Sequence, residues 1–183
     1  QKYPLEEYGL QWIQPPIPLA HPLDDRVAVL HRSIDQTLAG LGGAQNYKRV
    51  ASALLHNCSD LVPAFLRPMF PPSHPLLMAR FGLHAMQPAT WEARRTFSNT
   101  AGRALFAGLA AHSALPLNSP ASGAFGWVLG VAAHAVGWPI PRGGSQHIAN
   151  ALASYFESLG GSIITGHRVR SLSEFGTQSL VLC

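Results

Sequence analysis

Between Ala44 and about Leu66 apolar residues return at every third or fourth position. Tyr47, Val50, Ala51, Leu54, Leu55, Cys58, Leu61 and Val62 would share one helical face. The same spacing predicts helices over Pro75 to Met86, about Ala89 to Phe97, and about Thr100 to Leu115, the first of them opened by its proline. A further apolar helix fits about Pro120 to Gly137, and another follows Ser145 with Ile148, Leu152, Tyr155, Phe156 and Leu159 on one side. Gly160-Gly161 stops that last helix. Prolines 68, 71, 72 and 75 make residues 67 to 75 a loop.

The strands are shorter. Residues 8 to 23 carry too many prolines for a central strand and read as edge strands or polyproline-like segments. Asp24-Asp25 is a turn. Val27 to His31 reads as a short strand, followed by a helix that Ser33 caps and Gly42-Gly43 ends; Val27 to Leu41 could equally be one helix. Near the C-terminus Ser162 to Thr165 and Arg168 to Leu172 read as two strands about a turn at Gly166-His167, and Leu180 to Cys183 is strand-like. The pattern is therefore α+β and predominantly helical, with short mixed strands at both ends. No internal repeat is present.

Composition narrows the function classes. Of 183 residues, 47% are apolar and 12% charged, against the usual ~25% charged, which excludes a disordered chain. The formal charge of +4 is spread without a basic stripe, so nucleic acid is not an expected partner. Two cysteines exclude a disulfide scaffold, and with no signal peptide they fit a cytoplasmic location. The chain opens without a Met and closes on a strand-like run, as a fragment of a longer protein would. Ala104 to Pro141 contains no Asp, Glu, Lys or Arg, but neither of its helices reaches the ~20 residues that span a bilayer. Their small residues would permit close helix approach, or approach to a flat ligand. The run Phe65 to Phe81, apolar with scattered Arg, suits contact with a membrane surface; ordinary packing competes with that reading.

Chemistry is sparse. Nine His are dispersed without a metal-ligand spacing, so no metal is expected. His112 and His134 lie in uncharged helices, where each needs a polar partner or faces a cavity. Ser145 lacks the second glycine of a hydrolase elbow and reads as a helix cap. Gly40 to Gln45 is a helix-ending turn, so no dinucleotide loop is complete. Arg142-Gly143-Gly144 is the strongest candidate. Two glycines ahead of a helix let a ligand reach the backbone and the free N–H groups of the first turn. Arg142 is the only formal charge between Arg103 and Glu157.

The run Gly137-Trp138-Pro139-Ile140-Pro141-Arg142-Gly143-Gly144-Ser145, then Ile148, Ala151-Leu152, Leu159-Gly160-Gly161, Ile163, Thr165 and Val169, resembles the phytoene-desaturase-like FAD oxidoreductases, relatives of the amine oxidases. The resemblance is specific over 137 to 169 and loose before about 100. It implies a glutathione-reductase-like flavoprotein in which residues 1–136 are the mostly helical substrate-side domain and 137–183 return to the FAD-binding domain. It implies that Arg142, Gly143 and Gly144 lie near the flavin, and that Val169 meets the adenine through its backbone. His112, Phe125, His134 and Trp138 would line an apolar substrate cavity, walled largely by the uncharged helices. The family's N-terminal Gly-x-Gly-x-x-Gly turn and its C-terminal flavin-contacting segment are missing, so FAD would belong to the full-length parent and bind this chain weakly or not at all. The rest of that parent would be a partner. No general base is evident. The rival expectation is a non-catalytic module that binds an apolar ligand or lipid.

Overall fold

A computed structural model describes residues 3–65 and 74–175. The loop expected at 67–75 falls largely, the membrane-surface run in part (66–73), and the strand-like 180–183 wholly outside the described residues. The chain is predominantly helical with short strands. It divides into two compact units: Ile13–Ile140, and the described parts of Gln1–Trp12 together with Pro141–Cys183. The division therefore falls after residue 140 rather than after 136, and the first twelve residues join the C-terminal segment.

In the larger unit β2 (Leu19–Pro22) and β3 (Val27–Leu30) form an antiparallel hairpin that pairs Leu19 with Leu30 and Pro22 with Val27. They follow the two-residue β1 (Trp12–Ile13). Ala28 and Leu30 point into the core and Val27 points out, the alternation a one-sided sheet requires. The segment Val27 to Leu41 is thus a strand followed by a helix. Helix α1 (Ile34–Gly40) starts where the Ser33 hydroxyl accepts from Gln36 N–H at 3.2 Å. It ends at Gly42 and Gly43, both at positive φ, with Gly43 N–H bonded back to the Leu38 carbonyl.

The long helix expected over Ala44 to Leu66 is two: α2 (Gln45–His56) and α3 (Cys58–Phe65). Asn57 causes the break. Its side-chain amide donates to the Ala53 carbonyl at 2.7 Å, while its own carbonyl accepts from Leu61 N–H and starts the next helix. The helices α4 (Pro75–Ala85), α5 (Ala89–Thr96), α6 (Thr100–Ala111) and α7 (Ser122–Ala135) follow in the expected order. α6 stops at Ala111 and α7 starts at Ser122, with Ala114 and Ala121 in left-handed turns between them. No described helix is long and apolar enough to cross a membrane.

α6 and α7 form the centre, with α5 and β3 against α6 and with α2, α4 and α5 against α7. Their glycines allow the contact. The Phe106 ring lies over Gly126, and the His21 ring over Gly108. The small residues of the uncharged stretch are therefore occupied at these positions by the chain's own rings rather than left open to a flat ligand. Tyr47, Phe97, Phe106 and Trp127 make an aromatic core, with Tyr47 stacked on Trp127 at 5.6 Å and Phe106 edge-on to Trp127 at 5.2 Å.

In the smaller unit, β4 (Ile140–Pro141) contributes Pro141, and α8 (Gln146–Ser158) packs against a short 3-10 turn at Leu5–Tyr8. Tyr8 meets Tyr155 at 5.3 Å and bonds the Ser158 hydroxyl at 2.8 Å. The two strands expected at 162–165 and 168–172 do not form. No strand pairs with either segment among the described residues, and Ile164 is 78% exposed. The Glu174 carboxylate instead accepts from the N–H groups of Arg170 and Ser171 at 2.8 and 2.9 Å, which curls the chain into a 3-10 turn at Leu172–Glu174.

Candidate functional site

The expected cofactor residues lie in the smaller unit. Gly143 and Gly144 both take positive φ, +84° and +106°, and Gly144 N–H closes the turn onto the Pro141 carbonyl at 3.1 Å. Arg142 is exposed and anchors the turn through its N–H to the Gln11 carbonyl at 2.8 Å. A Cβ on Gly144 would meet nothing within 4 Å, so its backbone is open to a ligand. The His147 ring covers Gly143, where a Cβ would lie 2.6 Å from Nε2. Ser145 occupies the N-cap position of the helix, as expected, but in helical conformation and without a side-chain capping hydrogen bond, so the N–H groups of Ser145 and Gln146 have no acceptor among the described residues. Val169 is half exposed, and its backbone makes no hydrogen bond among the described residues.

The four expected substrate residues all lie in the larger unit but do not line one cavity. His112 follows the end of α6, exposed, edge-on to Trp138 at 6.3 Å. Phe125 faces out of α7. His134 is buried on another face of α7 and is spent on structure. Its Nδ1 bonds the Arg32 carbonyl at 3.0 Å, and its Nε2 accepts from the Tyr47 hydroxyl at 2.8 Å. Burial lowers the pKa of His134, and the carbonyls of Arg32 and His31 oppose that shift in part. Burial pushes the Tyr47 phenol well above its ordinary value. Both are held neutral, and the hydrogen-bond directions follow from that.

Stacking continues this pair into a second polar group. Trp127 Nε1–H donates to Glu92 Oε2 at 2.9 Å, and His84 Nδ1 lies 3.2 Å from the same oxygen. Glu92 is fully buried, and its Oε1 has no hydrogen-bond partner among the described residues. The Arg95 guanidinium, 4.9 Å from the Trp91 ring centre, approaches His84 Nδ1 to 3.4 Å. The signal for Glu92 is readable in the sequence: it falls in register with Ala89, Ala93 and Thr96, the buried stripe of α5.

His84 also lines a cavity of about 190 Å³ between α2 and α4, where Arg49, Asn57 and Arg80 meet Leu77 and Phe81. Leu54 and Phe81 separate it from an almost wholly apolar recess of about 70 Å³ against Trp127, Val128 and Val131. The structure thus offers three local features: an open Gly-Gly turn, an apolar recess beside the exposed face of α7, and a cation-lined cavity backed by a buried carboxyl group. No family model, curated protein or solved structure matches the chain.

Proposed function

We propose that the chain belongs to an FAD-dependent, phytoene-dehydrogenase-like oxidoreductase, with Ile13–Ile140 as its substrate-side domain and the segment from Pro141 as the return to its flavin-binding part. One observation carries this reading. Residues 13 to 140 are inserted between two segments that fold together, and the chain re-enters through a Pro-x-Gly-Gly turn with both glycines at positive φ, directly ahead of a 13-residue helix.

The residues present fit the group. Gly144 presents backbone without a side chain, the first turn of α8 holds unused N–H groups, and Arg142 is a cation with no ion pair among the described residues. Arg142, Gly143 and Gly144 would hold the flavin side, and the free backbone of Val169 would meet the adenine. When bound, FAD supplies the redox chemistry by accepting a hydride from a C–C or C–N unit. The protein binds and orients the substrate and keeps water out. Phe125 and Val128, exposed on α7 beside the apolar recess, suit an apolar substrate. That recess also favours the rival reading, a module that binds an apolar ligand or lipid without catalysis.

The test is flavin content. Protein expressed from the complete reading frame that contains this chain should purify with one FAD per chain and a visible flavin band. Colourless protein that takes up no added FAD overturns the flavin reading and leaves the binding module. The 183 residues alone carry no Gly-x-Gly-x-x-Gly turn, so little quenching of flavin fluorescence is expected from them.

A further inference from the structure

We propose that the cavity between α2 and α4 binds an amphipathic anion, its carboxylate-type head held by Arg49 and Arg80 and its apolar tail laid on Leu77 and Phe81. The proposal stands on this cavity and does not depend on the flavin reading. Helical spacing builds it. Arg49, Ala53 and Asn57 follow one another four residues apart along α2 and its cap, and Leu77, Arg80, Phe81 and His84 fall on one face of α4. Both helices pack on α7, and the space between them is the cavity.

Its charge is one-sided. Neither Arg49 nor Arg80 makes an ion pair or hydrogen bond among the described residues, and no Asp or Glu lines the cavity among them. Arg49 and Arg80 stand exposed at its rim, where an oxyanion between two guanidinium groups would gain charge-assisted, bidentate hydrogen bonds. His84 lines the same cavity with its Nδ1 turned to Glu92, so the head would be held by the two guanidinium groups rather than by this ring. The tail would lie on Leu77 and Phe81, on the near side of the wall that Phe81 and Leu54 form against the apolar recess.

The probes are octanoate, 1-octanol with the same tail and no charge, and acetate with the same head and no tail. Binding to the full chain is followed by calorimetry. Octanoate should bind about tenfold or more tighter than either relative, ~1.4 kcal/mol. Arg49→Gln and Arg80→Gln should each weaken octanoate about tenfold and leave 1-octanol unchanged. Arg94→Gln, which removes the same charge from α5, should change neither, and circular dichroism should show all three variants folded. The proposal is overturned if octanoate and 1-octanol bind alike, if acetate matches octanoate, if both cavity variants retain wild-type affinity, or if millimolar octanoate shows no binding.

Discussion

The indole N–H of Trp127 donates to the carboxyl group of Glu92 at 2.9 Å in a part of the core that excludes solvent from both residues. The same oxygen faces His84 Nδ1, so one buried acceptor serves two donors from two other helices. Removing it leaves the Trp127 indole N–H buried and unpaired and takes from the half-buried His84 its carboxyl partner. Glu92→Ala should therefore destabilise the fold by about 3 kcal/mol. Glu92→Gln keeps an acceptor for the indole and should cost about 1 kcal/mol. Urea unfolding of the three proteins checks this. Equal losses in the two variants would mean that the negative charge, not the acceptor, is what Trp127 and His84 require.

The His134 contact sets a pH dependence. Burial depresses its pKa in the fold, with hydrogen bonds to the Arg32 and His31 carbonyls opposing, while the unfolded chain titrates near the ordinary value of about 6.5. The unfolded state then takes up the proton first as pH falls. The stability contributed by neutral His134 is complete above about pH 6.5 and is lost on acidification towards the lower folded-state value. His134→Asn retains a donor for the Arg32 carbonyl and cannot titrate. The stability gap between wild type and variant should narrow from about pH 8 to about pH 5, measured by urea unfolding at each pH. A constant gap would mean that His134 does not carry this dependence.

These two contacts mark how far the sequence could be read. Helices 75–85, 89–96, 100–111 and 122–135 follow from apolar periodicity between Pro and Gly punctuation, because each buries one face against its neighbours. Asn57 breaks a helix whose apolar period runs straight through it; the break is a local side-chain bond that periodicity does not register. The segments at 162–165 and 168–172 have strand composition, but a strand exists only when paired. For the site, the uncharged setting of His134 signalled a required partner, yet Tyr47 is 87 positions away. His112 has the same local setting and ends up exposed at a helix terminus, so the side of the helix, which neighbours decide, separates a structural histidine from a surface one.

The Phe106 ring lies directly over Gly126 of α7. An alanine Cβ there would lie 2.6 Å from the far end of the ring, which is itself buried and cannot swing into solvent. Gly126→Ala should cost about 2 to 3 kcal/mol through overpacking, despite the better helix propensity of alanine. Phe106→Leu in the same chain should relieve part of the clash, leaving the double variant about 1 kcal/mol more stable than the sum of the single losses. A double-mutant cycle from thermal and denaturant unfolding reads this directly. Additive losses would place the strain elsewhere than on this ring.

Gly130, one turn further along α7, tests the polar pair in the opposite sense. An alanine Cβ there would lie 3.1 Å from the Tyr47 hydroxyl oxygen, tight but not prohibitive. In the wild-type chain the ~1 kcal/mol that alanine gains over glycine inside a helix is offset by pressing on a hydroxyl already fixed to His134. Tyr47→Phe removes that hydroxyl and leaves His134 Nε2 buried without a donor, at a cost of about 1 to 2 kcal/mol. In the Tyr47→Phe background the crowding is gone and the helix gain should emerge. Gly130→Ala is thus expected to be neutral or destabilising in the wild type and stabilising by up to ~1 kcal/mol beside Tyr47→Phe. The sign reversal is the diagnostic, because a helix-propensity effect alone would appear equally in both backgrounds, and a loss unrelated to Tyr47 would persist in both.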